Sequence, residues 1–136
     1  MVEIRHQRIT IIRYRRPEKK DINDKLQFFG NSLGLFGERD KDKSCFRIFI
    51  ELLKATRKNM AISSDDMALK TELSRGTVVH HLHRLMESGL VVQDSGRYIL
   101  RSGNLNAVME EIQKDVDRTF NDLKRIASDI DKGVGL

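Results

Sequence analysis

Three of the four histidines in the chain, His80, His81 and His83, lie in the stretch SRGTVVHHLHRLMESGLVV from Ser74 to Val92. Imidazoles set so close could bind a divalent metal, move protons, or line a surface that meets a polyanion. His80 and His83, three positions apart, supply only half of a tetrahedral shell, and the single cysteine, Cys45, lies far away in the sequence. No metal is expected. No serine, histidine and aspartate are arranged so as to single out a nucleophile. Gly30, Gly34 and Gly37 lack the following lysine-serine or lysine-threonine of a phosphate-cradling loop. Neither catalysis nor a bound cofactor is therefore expected, and the histidines must be understood through the elements that carry them.

Ser74 has helix-capping chemistry, and Val78, Leu82 and Leu85 recur at steps of four and three, so a helix is predicted over about Arg75 to Ser88, closed by Gly89. His81 falls beside the apolar positions and reads as a hydrogen-bonded core histidine, whereas Arg75, Gly76, Val79, His80 and His83 face outward, with Thr77 and Arg84 at the flank. Two β-prone runs, LVVQ and RYIL, separated by DSG, follow as a hairpin. Upstream, CFRIFIELLKAT predicts a core helix capped by Ser44, with Phe46, Ile50 and Leu53 on one face and Phe49 and Leu52 close beside it. After a short strand or extended turn in RKNMAIS, Ser64 is the predicted cap of DDMALKTEL, which buries Met67, Ala68 and Leu73. Asn104 can start a long helix whose Leu105, Met109, Ile112, Val116, Phe120, Leu123, Ala127 and Ile130 recur mostly at three and four. At about 1.5 Å per residue it is about 40 Å long, more than a small domain can cover, so a second copy of the chain is the economical partner.

The N-terminal residues have a different character. EIRHQRITIIRYRR, Glu3 to Arg15, is rich in β-branched residues and predicts a strand, stopped by Pro17; its charges fit either a polyanion contact or a sheet edge protected from aggregation. From Asp21, Ile22, Leu26, Phe29, Leu33 and Phe36 form a helical stripe weakened by Gly30 and Gly34. The stripe around Phe28, Phe29, Leu35 and Phe36 could line a ligand cleft at the dimer interface, but packing against the long C-terminal helix is the expectation.

Charge is distributed unevenly. The first 20 residues carry seven basic and two acidic side chains, a surplus equal to the whole net charge of +5, while residues 104 to 136 hold five basic against seven acidic. A basic arm on such a chain suggests a nucleic-acid partner. No apolar run approaches the roughly 18 residues of a membrane span, and MVEIRHQRIT has no signal-peptide character, so a cytoplasmic location with no membrane partner is expected. A lone cysteine forms no internal disulfide, and Cys45 reads as a small buried hydrophobe.

Taken in order, helix, short strand, helix, tight turn, helix and hairpin give a mainly α fold with a small β-wing, a winged helix-turn-helix over residues 43–102. An N-terminal basic strand-and-helix arm over 1–42 precedes it, and a coiled-coil-like dimerisation helix over 103–136 follows. The stretch LSRGTVVHHLHRLMESGLVVQDSGRYIL, Leu73 to Leu100, resembles the recognition helix and wing of the ArsR-like winged helix-turn-helix regulators of bacteria and archaea. The resemblance implies a homodimeric transcriptional regulator that binds double-stranded DNA. DNA contacts would come from Ser74, Arg75, Gly76, Thr77 and His80, and phosphate contacts from Ser95 and Arg97 in the wing. Val79 stands where many relatives carry a serine, which would exchange a polar contact for one to a thymine methyl. Arg84 adds a phosphate contact in this reading, and His83 joins His80 as DNA-facing, with ordinary exposure the alternative for both. The family's metal sensors need paired cysteines before the recognition helix or histidines on the last helix, and this chain has neither. The dimer is expected to form through Leu105, Met109, Ile112, Val116, Phe120, Leu123 and Ile130. A rival reading is a winged-helix module that binds proteins, since Arg75 to Arg101 contains only four Arg or Lys; an RNA partner is a weaker third, because the eight aromatics form no stacking platform.

Overall fold

The computed structural model describes residues 6–16, 21–37 and 40–136. The helices are α1 (Ile22–Ser32), α2 (Ser44–Arg57), α3 (Ser64–Thr71), α4 (Arg75–Glu87) and α5 (Leu105–Val134). The strands β1 (Ile62–Ser63), β2 (Val91–Asp94) and β3 (Arg97–Leu100) form one antiparallel sheet in the order β1-β3-β2. In register, Val91 lies opposite Leu100 and Asp94 opposite Arg97, with Ser95 and Gly96, both at positive φ, making the two-residue turn between them. The expected helix, strand, helix, turn, helix and hairpin are all present, and β1 adds a third strand by pairing Ile62 with Tyr98.

Local chemistry explains most element ends. Asp21, Ser74 and Asn104 accept from backbone amides three residues on and start α1, α4 and α5. Two caps differ from expectation. Ser63, not Ser64, accepts from the Asp66 amide to start α3. The start of α2 is held by Asp40, whose carboxylate accepts from the amides of Cys45 and Phe46, with Ser44 already inside the helix. A carboxylate can satisfy two of the orphaned first-turn donors at once, which a serine hydroxyl cannot match.

The core gathers α2, α3, α4, the sheet and the first half of α5. Ile48, Phe49, Leu52, Met67, Val78, Leu82, Leu85, Leu90, Val91 and Val108 are fully buried. The buried face of α2 is thus Cys45, Ile48, Phe49, Leu52 and Ala55, turned from the expected Phe46-Ile50-Leu53 line. Ala68 and Leu73 are half-buried, whereas Met67 is wholly so. Cys45 is the buried small hydrophobe expected, and burial pushes its thiol up to about 12.

The N-terminal third departs most from the sequence expectations. Residues 3–5 of the expected strand lie outside the described residues, and residues 6–16 are extended without any sheet pairing. Their backbone amides go instead to carbonyls at helix ends: Arg8 donates to Glu87 at 2.9 Å and Ile12 to Ser32 at 2.7 Å. Alternating β-branched residues dictate an extended chain but not which acceptors it meets. α1 ends at Ser32, so Leu35 and Phe36 are buried from a loop and Ile22 is exposed. Two aromatics of the stripe pack on α2: Phe29 stacks on Phe49 at 6.0 Å, and Phe36 meets Phe46 and Phe49 edge-on. Gly30 makes this possible, because a Cβ there would lie 1.9 Å from the Phe36 ring. It marks a close approach within the helix, not its end.

Candidate nucleic-acid interface

The surface in question begins with the short connection between α3 and α4. Glu72 at φ 57° turns the chain, and the Arg47 guanidinium donates to the Thr71 carbonyl at the end of α3. Ser74 then starts α4: its hydroxyl oxygen accepts from the Thr77 amide at 3.2 Å while its hydrogen is donated to Thr77 Oγ1 at 2.8 Å. Thr77 Oγ1, accepting from Ser74, keeps its own hydrogen for an outside acceptor.

Along the exposed face of α4 the structure brings together Ser74, Arg75, Gly76, His80 and His83, all exposed, with Thr77 and Val79 half-buried beside them. Arg75 pairs with Asp65 of α3 at 3.4 Å, but both side chains are more than 70% exposed, so the pair is weak and the guanidinium can be redirected to a phosphate. A Cβ at Gly76 would meet nothing within 4 Å. Packing within the chain therefore gives no reason for a glycine in the first turn, where it costs helix stability.

His81 is buried on the opposite face, as its position beside the apolar residues predicts, but the expected hydrogen bond is missing. Its Nδ1 has no partner among the described residues. Burial holds its imidazole below the usual value, opposed by the Asp40 carboxylate and reinforced by His80 and Arg84. The ring meets His80 edge-on at 5.4 Å. Arg84 Nη2 donates to the Gly34 carbonyl at 3.0 Å, so it fastens the loop after α1 to α4. This bond uses one of the five donors of the guanidinium.

The wing presents Ser95 and Arg97 at its tip, both exposed. Arg97 has no ion-pair partner among the described residues, while Ser95 Oγ is engaged with Asp94 Oδ1 at 3.3 Å. In the arm, Arg8, Arg13, Arg15 and Arg16 are exposed; Arg5, Lys19 and Lys20 lie outside the described residues.

Residues 49–95 match the IclR helix-turn-helix domain. They run from α2 through α3 and α4 into β2, the elements that carry the surface just described. The match supports a helix-turn-helix DNA-binding protein of the kind used in transcription regulation, and the family it names is IclR-type, not the ArsR-like group that Leu73 to Leu100 resemble. Neither the curated proteins nor the solved structures yield a match to the chain. No helix among the described residues is long and apolar enough to cross a membrane.

Two features were missed by sequence reasoning. Asp115 interrupts the apolar positions of α5 and is buried, where it joins Arg101, Arg118 and Gln7. Arg101 donates through both terminal nitrogens, at 2.6 and 3.3 Å, and its hydrogen bonds hold the Asp115 carboxyl down at about 2. The only sequence signal was an aspartate between Ile112 and Val116. The second concerns the long helix itself. Ile112 is buried in the chain's own core and Leu105, Met109 and Val116 pack against it, whereas Phe120, Leu123 and Ile130 are exposed together with Ile126 and Val134, which the periodicity argument had not singled out. Four of the seven residues expected at the dimer interface therefore pack within one copy, and Ile112 is buried there.

Proposed function

We propose that the chain is a homodimeric, sequence-specific regulator of transcription that binds double-stranded DNA. The first turn of α4 enters the major groove, with Arg75, Thr77, His80 and His83 directed at bases and phosphates and Val79 at a thymine methyl. Arg97 and Ser95 of the wing, and the arm arginines, contact the phosphate backbone. A DNA partner carries with it a cytoplasmic or nucleoid location, and no catalytic step, metal or cofactor is assigned. The observation that carries this reading is the exposed face of α4, whose Gly76 leaves open space that packing does not require.

Selection of bound duplexes from a random pool, at low and at near-physiological salt, tests it. A two-fold symmetric motif with half-sites about one helical turn apart is the expected outcome. Failure to enrich any sequence, with binding lost at physiological salt, would refute it and favour the rival protein-binding module. That second reading draws on the low charge of the α4 face, where Arg75 is the one exposed Arg or Lys among the described residues.

A further inference from the structure

The arm and the long helix enclose a cleft. Gln7, Ile9 and Ile11 form one wall and Val116, Thr119, Phe120 and Leu123 the other, around a volume of about 350 Å³. The arm is fixed there by more than apolar contact: Gln7 donates to Asp115 at 3.0 Å and the Arg8 amide to the Glu87 carbonyl at 2.9 Å. Beyond Val116, α5 has no buried residue, yet it continues for about 27 Å at the helical rise. Its apolar stripe runs without a break from the cleft to the helix end.

The geometry points to the α5 tail of a second copy, running antiparallel, as the occupant of this cleft, so that the N-terminal arm is a wall of the dimer interface. This rests on the dimeric reading above and specifies its form. Ile11, Phe120, Leu123, Ile126, Ile130 and Val134 are between 54% and 68% exposed. Together they offer on the order of 600 Å² of apolar surface, near the ~800 Å² per partner that a stable interface buries with its polar rim included. A two-fold interface must be self-complementary, residue i meeting j and j meeting i. Antiparallel pairing centred on Leu123 satisfies this: Ile126 falls opposite Phe120 of the other copy and Ile130 opposite Val116, so each bare tail fills the other's cleft. Parallel pairing would set tail against tail and leave the arm wall facing nothing new.

Cross-linking between chains tests the arrangement. Cys45 is fully buried and leaves an introduced cysteine as the one accessible thiol. Ile11→Cys and Ile130→Cys chains, mixed and treated with a short bismaleimide, are expected to link to each other. Ile130→Cys alone is expected not to self-link, because the two residues would be about 20 Å apart. Ile11→Asp should weaken dimerisation at least tenfold in sedimentation, while Ile22→Asp, equally exposed but on α1, should not. A wild-type dimer that self-links through Ile130→Cys and tolerates Ile11→Asp would overturn the arm-walled interface and leave the dimer standing. A wild-type monomer at high concentration would overturn both.

Discussion

Replacing Gly76 by alanine separates the needs of the fold from those of the ligand. Gly76 sits in the first turn of α4, outside the residues at positive φ, and its missing side chain would project into open space. Alanine there restricts the unfolded chain and favours the helix, which is worth about 0.5–1 kcal/mol. For a domain of this size that corresponds to a rise of roughly 2–4 °C in Tm. A methyl group facing a tightly apposed DNA backbone acts in the opposite sense, and overpacking of that kind costs about 1–3 kcal/mol, or at least fivefold in affinity. The assay pairs thermal unfolding with titration of a duplex recovered by selection, at fixed salt. The expected Gly76→Ala protein is more stable and binds more weakly. Unchanged affinity alongside a raised Tm would show that the first turn of α4 stays clear of the DNA, and a lowered Tm would show that the space at Gly76 is not open.

Other perturbations address the remaining parts. Arg97→Ala should weaken binding to all sequences alike and make the log-log salt slope shallower by about one unit, and an unchanged slope would remove the wing tip from the interface. Asp115→Asn should cost about 2 kcal/mol at neutral pH, since Arg101 lowers the carboxyl from 3.8 to about 2 in the folded state. Because the folded value is depressed, that contribution is present above pH ~4 and is lost as pH falls toward 2, so urea unfolding should show a smaller acid loss in the variant than in the parent. His81 is depressed by burial, so the unfolded chain takes up its proton first and stability should decline as pH drops below the usual 6.5; a His81→Gln protein with the same decline would place the effect elsewhere. The Cys45 thiol, pushed up to about 12, should react with a thiol reagent at pH 8 only on unfolding, and rapid labelling of the folded protein would contradict its burial.

The helix-turn-helix core was legible because its information is local. Val78, Leu82 and Leu85 repeat at helical spacing, Ser74 caps, and SG between two β-prone runs makes the turn, so each step agrees with the next. The differences from expectation have two physical origins. Helical periodicity locates a face only to within about one residue's rotation, which is why the expected face of α2 centred on Phe46, Ile50 and Leu53 with Phe49 and Leu52 beside it, whereas the buried face centres on Ile48, Phe49 and Leu52. Arg84, expected at the flank of the outward face, reaches the Gly34 carbonyl fifty residues earlier. No spacing rule reaches that far.

The same limit applies to the arm, and it bears on how the parts act together. Within one stretch of extended chain, Gln7 binds a carboxylate of α5, the Arg8 amide binds the last residue of α4, and the Ile12 amide binds the last residue of α1. Helix C-termini carry unsatisfied carbonyls, so an extended segment with free amides is a natural partner for them. One segment therefore caps two helices and holds a third. The end of α4 and the middle of α5 are tied through neighbouring residues of the arm, and Arg101, following the wing, closes the loop by gripping the same Asp115. The phosphate contacts proposed for the arm arginines would thus come from a segment whose backbone is tied to the ends of α4 and α1 and whose Gln7 side chain is tied to α5. A second copy seated against Ile9 and Ile11 would bear on that same segment, so the arm would join the proposed dimer contact to the end of α4.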